Sequence, residues 1–203
     1  VMDGRLITEM RTAAVSAVAT DLLAPLDARV LAIFGSGVQA ESHVEALGLV
    51  RQFDEIRIWS RTPAHAEKFA AEVGGKSLPA EEAARGADVI VTVTSSTTPV
   101  LKGEWLKPGS HVNAVGACRP DWRELDDAAM ANMLFVDSRA AAEQESGDVI
   151  LSKAKIHGEL GEALAGKIQV DRNQTTIFKS LGMAIEDLAS AMLVYRQVKS
   201  QGD

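Results

Sequence analysis

The sequence predicts a doubly wound, mainly parallel α/β sheet with flanking helices from both chain ends, and three observations predict it. Short β-branched runs alternate with amphipathic stretches from Arg29 to Gly116, and Val89–Thr94 is almost continuously apolar or β-branched. The first of these strands also runs directly into a glycine-rich turn and a helical stretch. A strand apolar on both sides of its pleat suits a parallel sheet covered on both faces.

In chain order, Val1-Met2-Asp3-Gly4 reads as a strand entering a tight turn, Asp-Gly being a hairpin signal, so the chain is expected to begin in mid-structure. Thr8 to Leu23, rich in Ala, Val, Met and Leu, is a helix closed by Pro25. Val30–Phe34 is a strand, about Val38 to Val50 a helix, and Ile56–Trp59 a second strand. The next helix starts after Thr62, which can cap it, with Pro63 suited to the first turn. A weak strand near Lys76–Leu78 precedes a short helix opened by Pro79 and stopped by Gly86. Val89–Thr94, Ser110–Val115 and Leu134–Val136 are further strands, the last two separated by a helical stretch rich in Glu, Asp, Ala and Met. Beyond Asp137 the pattern weakens: Ala140–Glu145 and Glu159–Leu164 look helical, Thr175–Phe178 could be a strand, and Met183 to about Lys199 is a long amphipathic helix.

Composition narrows the function classes. A chain of 203 residues, 46% hydrophobic, is long enough for one sizeable packed core. Its net charge of −7 and the lack of any Lys/Arg run argue against nucleic acid or an anionic membrane face as partner. No apolar run approaches the ~18–20 residues that span a bilayer, and Cys118, the single cysteine, cannot form an intrachain disulfide; cytoplasm is the expected compartment. His43, His65, His111 and His157 are scattered without metal-ligand spacing, and no metal site is expected. Trp59, Trp105 and Trp122 read as packing residues, because no basic residues interleave them.

After Val30–Phe34 comes Gly35-Ser36-Gly37-Val38-Gln39-Ala40, a G-x-G-x-x-A pattern leading into a helix, which is the Rossmann fingerprint. Gly35 allows the tight turn, Gly37 lets the backbone approach a pyrophosphate, and Ala40 keeps the helix close to the sheet. The diphosphate would rest on free backbone amides at the positive end of the helix dipole, with Gly35, Ser36, Gly37, Val38 and Gln39 as the cofactor-binding residues. At the end of the second strand, where NAD enzymes carry an acid for the ribose 2′-hydroxyl, stand Ser60, Arg61 and Thr62. A guanidinium there can grip a 2′-phosphate, so NADPH is the expected cofactor and NADH the second choice; the alternative is that Arg61 is a solvated surface charge. The nicotinamide should lie over the carboxyl ends of the central strands, beside Thr94, Ser95, Val115 and the turn that follows.

These blocks, together with Arg11-Thr12-Ala13-Ala14-Val15-Ser16-Ala17, Ile58-Trp59-Ser60-Arg61-Thr62, Asn113-Ala114-Val115-Gly116-Ala117, Arg119-Pro120-Asp121-Trp122-Arg123-Glu124-Leu125-Asp126, Glu145-Ser146-Gly147-Asp148, Gly158-Glu159-Leu160-Gly161 and Lys179-Ser180-Leu181-Gly182-Met183-Ala184, resemble the ornithine cyclodeaminase/mu-crystallin family from end to end. The resemblance is greatest to its mu-crystallin-like members. It implies NADPH-dependent reduction of cyclic ketimines (imino acids), thyroid-hormone binding and a homodimer. Alternatives within the family are a thyroid-hormone-binding protein without obligatory turnover, an amino-acid dehydrogenase and a cyclodeaminase. It implies that residues 1–28 are a helical segment leading to a substrate and dimerisation domain missing from this chain, with its lysine and an arginine. Residues 29–180 then form the NADP-binding domain, and 181–203 a C-terminal helix.

The same resemblance makes Arg11 the substrate-carboxylate arginine and Thr12 a cofactor-phosphate contact, and has Leu181 close over the nicotinamide. Cyclodeaminases place an acid/base aspartate where Cys118 stands and mu-crystallins a serine, which favours reduction. Cys118 could touch substrate or be a small buried apolar group. Asp121 could relay a proton or orient Arg119, or be a turn aspartate bonding its own backbone after Pro120.

Overall fold

The computed structural model describes residues 2–201; Val1 of the expected opening strand and residues 202 and 203 of the expected C-terminal segment lie outside the described residues. The chain runs α1 (Gly4–Leu23), β1 (Val30–Phe34), α2 (Val38–Gly48), β2 (Glu55–Trp59), α3 (Pro63–Val73), β3 (Lys76–Ser77), α4 (Ala80–Ala84) and β4 (Val89–Thr92). It continues through β5 (His111–Ala114), α5 (Asp127–Met130), β6 (Met133–Val136), α6 (Arg139–Glu145), α7 (Gly147–Ser152), β7 (Ile156–Glu159), α8 (Leu160–Leu164), β8 (Thr176–Lys179) and α9 (Ala184–Gln201).

The strands form one sheet in the order β3-β2-β1-β4-β5-β8-β6-β7, and every pair is parallel. The chain leaves β1 outward to β2 and β3 and returns to β4 on the other side. The order therefore reverses at β1, and the carboxyl ends of β1 and β4 flank the crevice where such sheets take ligands. The pleat sorts the core: Leu31, Ile33, Val89 and Val91 pack with Leu47 and Phe69 of α2 and α3, while Ala32, Phe34, Ile90 and Val112 pack with Ala83 and Trp105. Each central strand thus needs apolar residues on both faces, which is the near-continuous run seen in the sequence.

α1 lies along α2 and crosses β5 and β8. His43 Nδ1 donates to the Gln39 carbonyl at 2.7 Å, and the Ser16 hydroxyl of α1 donates to Nε2 at 3.0 Å. Burial lowers this histidine's pKa to about 4, the Gln39 bond opposing it. Arg51, buried after α2, donates to the Thr20, Asp21 and Ala24 carbonyls at the end of α1 and pairs with the Asp21 carboxylate at 2.8 Å. A cation there satisfies carbonyls that the last turn leaves open.

Several elements differ from expectation. Asp3-Gly4 is a helix start, not a hairpin: the Asp3 carboxylate accepts from the amides of Arg5 at 2.9 Å and Leu6 at 3.4 Å, capping orphan donors of α1. Thr62 occupies the cap position of α3 but makes no side-chain cap bond, so the expected cap is absent. β4 and β5 end at Thr92 and Ala114 because residues 93–95 and 115–116 peel away to line the crevice. The helix before β6 is only Asp127–Met130. β7 and α7 carry no clear period in the sequence, and β8 proves central, pairing with both β5 and β6.

Candidate functional site

At the end of β1 the Gly35 amide donates to the Trp59 carbonyl at 2.8 Å, and Gly35 has φ +138°. A Cβ on Gly35 would lie 2.9 Å from the Val93 carbonyl oxygen, so glycine lets this turn pass under the strand-β4 loop. Gly37 is the cap of α2 and brings no side chain to its first amides, which have no partner within the helix. Open space surrounds its missing Cβ. Ala40 is fully buried, seating α2 on the sheet.

This turn opens on a cleft of about 410 Å³ that also takes in Ser60, Arg61, Thr62 and His65. The Ser36 and Ser60 hydroxyls meet at 3.1 Å, joining the turn to the end of β2. No carboxylate lines this cleft, and Arg61 makes no ion pair among the described residues. Val38 lines neither this cleft nor its neighbour; as the first residue of α2 it offers its amide only. His65, one helical turn beyond Arg61, was not singled out by the sequence, because its only signal is its spacing from Arg61.

A second cleft of about 400 Å³ shares Val93, Thr94 and Ser95 with the first and continues it across the carboxyl ends of β4, β5 and β8. Thr12, Gln39, Val115, Cys118 and Leu181 of the predicted set line it. Thr12 is buried, its hydroxyl donating to the Thr8 carbonyl at 2.7 Å. Cys118 is exposed at the rim, not buried as its apolar reading supposed. Two buried oxygens on residues that line this space, Gln39 Oε1 and Ser180 Oγ, have no hydrogen-bond partner among the described residues. Such orphan groups are costly to bury unless a ligand or water meets them.

Arg11 also lines the second cleft, but it is already met by carboxylates: Nη1 lies 3.1 Å from Glu186 and Nε 3.4 Å from Asp187, both on α9. Burial pushes the Glu186 carboxyl up from its ordinary value, and the Arg11 charge pulls it down. Asp121 is exposed and is not among the described residues that line either cleft. Its neighbour Arg119 stacks on Trp122 at 4.8 Å.

Sequence reasoning gave no role to the buried acids that shape this end. Glu124 is fully buried and takes four bonds: Thr94 amide 2.6 Å, Thr94 hydroxyl 2.7 Å, Thr92 hydroxyl 2.8 Å and Gly116 amide 2.7 Å. It therefore clips the loop after β4 to the loop after β5. A Cβ on Gly116 would overlap the Thr94 carbonyl and the Glu124 carboxylate, which explains the glycine. Asp137 accepts from the amides of Leu181 and Gly182, both at 2.6 Å, and so sets the segment after β8. The sequence signal was thin: acids adjoining apolar strands, with partners far away in the chain.

The family model for the ornithine cyclodeaminase/mu-crystallin family matches residues 1–202. The chain is 58% identical over 199 residues to the ketimine reductase mu-crystallin of Macropus fuliginosus, covering 96% of this chain and 63% of that protein. It thus spans less than two thirds of that relative's length. Among solved structures, Thermococcus litoralis Delta(1)-pyrroline-2-carboxylate reductase in complex with NADH and L-proline superposes with a TM-score of 0.93 at 36% identity, covering 99% of this chain and 68% of that one. An archaeal alanine dehydrogenase dimer with bound NAD gives a TM-score of 0.93 at 33% identity, covering 100% and 67%.

Proposed function

This chain belongs to the ornithine cyclodeaminase/mu-crystallin family, and from that premise we propose that it binds NADPH along the joined clefts and serves reduction of a cyclic imino acid. The observation that carries the reading is the continuous crevice from the Gly35 turn to Cys118, lined at one end by the uncapped start of α2 and at the other by orphaned polar atoms. These residues fit a dinucleotide. The bare amides of α2 would take the diphosphate, and Gln39 and Ser180 line the other end, each with a buried oxygen that has no partner among the described residues. When bound, the cofactor supplies hydride to the carbon of a C=N bond.

The chain's own residues orient and select. Arg61, free of acidic neighbours, would hold a ribose 2′-phosphate with Thr62, whose hydroxyl is not spent on a cap. Thr12, Thr94, Ser95 and Val115 would flank the cofactor, and Leu181, pinned through Asp137, would close over the ring. Cys118 at the rim stands nearest in role to a substrate contact, and Asp121, exposed in the same loop, can exchange a proton with solvent. Residues 29–180 act as the nucleotide unit. Exposed apolar residues of 1–28 and 181–203, among them Met10, Leu188, Leu193 and Val198, would face further protein in a homodimer.

A second reading is thyroid-hormone and NADPH binding without turnover, and one observation bears on the lack of turnover: Arg11, the only cation lining the second cleft among the described residues, is already paired with Glu186 and Asp187. Fluorescence titration tests the cofactor. NADPH should bind more tightly than NADH, and Arg61→Ala should cut that preference by roughly tenfold or more, the scale of a lost charge-assisted pair. An unchanged ratio removes the NADPH reading. Oxidation of NADPH by a cyclic ketimine then separates the enzyme from the binder.

A further inference from the structure

Behind the second cleft lie three charged side chains that the proposed reaction does not use. Lys179 and Asp148 are fully buried and face each other at 3.5 Å, and Glu124 is fully buried beside them. Asp148 Oδ1 accepts from the amides of Glu124 at 2.9 Å and Leu125 at 3.0 Å, so the two acids are held as one unit. Each oxygen of Glu124 takes two donors, one of them a backbone amide that can only donate. Burial pushes the Glu124 carboxyl above its ordinary value, and Lys179 and these donors oppose that shift only in part. The set thus places two acidic side chains against one lysine.

The remaining charge at this cleft cancels nothing. Arg11 is matched by Glu186 and Asp187, and Asp137 adds a further acid at Leu181 and Gly182. Glu124 touches Thr94 and Gly116, which line the cleft itself. Charges in a dry interior are poorly screened, so such an imbalance acts on whatever occupies that space.

We propose that Glu124, Asp148 and Lys179 hold one uncompensated negative charge under the nicotinamide end of the cleft, which makes the site favour the oxidised, cationic nicotinamide over the reduced, neutral one. The inference rests on the dinucleotide reading above. The reduced ring carries no charge and the oxidised ring one positive charge, so a fixed negative field raises affinity for the second and leaves the first almost untouched. Preorganised charge of this kind also assists a reaction in which positive charge develops at that spot.

The test is the ratio of dissociation constants for NADP+ and NADPH, measured by calorimetry on the chain and three variants. Glu124→Gln should weaken NADP+ relative to NADPH by roughly tenfold, the order set by one unit charge acting over about 12 Å at an effective dielectric of about 20. Glu124→Asp keeps the charge and should retain the wild-type ratio even if both affinities fall. Lys179→Met should move the ratio the opposite way, and it decides the matter if Glu124→Gln does not melt cooperatively. A merely structural role shifts both constants together, so a ratio constant across the variants overturns this inference alone. A wild-type chain that binds neither nucleotide overturns the dinucleotide reading and this inference with it.

Discussion

The proposed phosphate end of the cleft comes from one β–α–β unit, with Gly35 to Gly37 and Ser60 to Thr62 at the tips of adjacent strands, whereas the proposed nicotinamide end gathers Thr12, Gln39, Thr94, Val115, Cys118 and Leu181 from across the chain. The first end is held by backbone: the Gly35 amide on the Trp59 carbonyl, and one hydroxyl pair. The second is held by buried acids, Glu124 across two loops, Asp148 behind it and Asp137 under Leu181. Local geometry can build a phosphate cradle with no buried charge. Assembling distant loops takes side chains that reach, and here those are carboxylates with several acceptor sites each.

That contrast predicts unequal fragility. Asp148→Ala breaks the buried contact with Lys179 and leaves the Glu124 and Leu125 amides without an acceptor, and should cost about 3–5 kcal/mol of unfolding free energy, the range for breaking a buried pair from one side. Ser36→Ala removes only the 3.1 Å contact with Ser60 and should cost about 1 kcal/mol or less. Urea unfolding of both variants checks the comparison; equal losses would mean that the two ends are held alike.

Acid sharpens the same comparison, because a buried histidine serves each end. His43 ties α2, which starts at the phosphate turn, to α1, and its pKa is lowered to about 4. His111 opens β5, which leads to the nicotinamide end, and burial lowers it to about 3. Between pH 6.5 and those values the unfolded chain binds protons that the folded chain refuses. Stability therefore falls as pH drops, by about 1.4 kcal/mol per pH unit for each histidine. From pH 6.5 to pH 4.5 the two together should remove about 5 kcal/mol by this slope, visible as a falling urea midpoint. His111→Gln should take away about half of that dependence, and a midpoint flat across this range would mean that both rings stay accessible to protons.

What could be read in advance follows the same division. Gly35, Gly37, Arg61 and the β–α alternation lie in local patterns whose physics is contained in a few consecutive residues, and the fold class and the glycine turn beside its cleft were legible from them. β8 was not placed, because Thr176–Lys179 looks like any short apolar run and its insertion between β5 and β6 depends on partners more than 30 residues away in sequence. Glu124 escaped notice for the same reason: nothing near it in sequence says that Thr92, Thr94 and Gly116 will surround it. Asp3-Gly4 misled because the pair suits a turn and a helix start equally, and only the helical backbone behind it decides.

The smallest expected effect is the most diagnostic of the phosphate end. Thr62 sits where a helix cap would, and capping residues replaced by alanine typically cost about 1 kcal/mol. Its hydroxyl makes no cap bond and lines the cleft beside Arg61. Thr62→Ala should therefore change the unfolding free energy measured in urea by less than about 0.5 kcal/mol while weakening NADPH several-fold and NADH little. If stability falls by the full capping amount and the NADPH preference stays, the hydroxyl belongs to α3 and the phosphate end is as dependent on side-chain ties as the other.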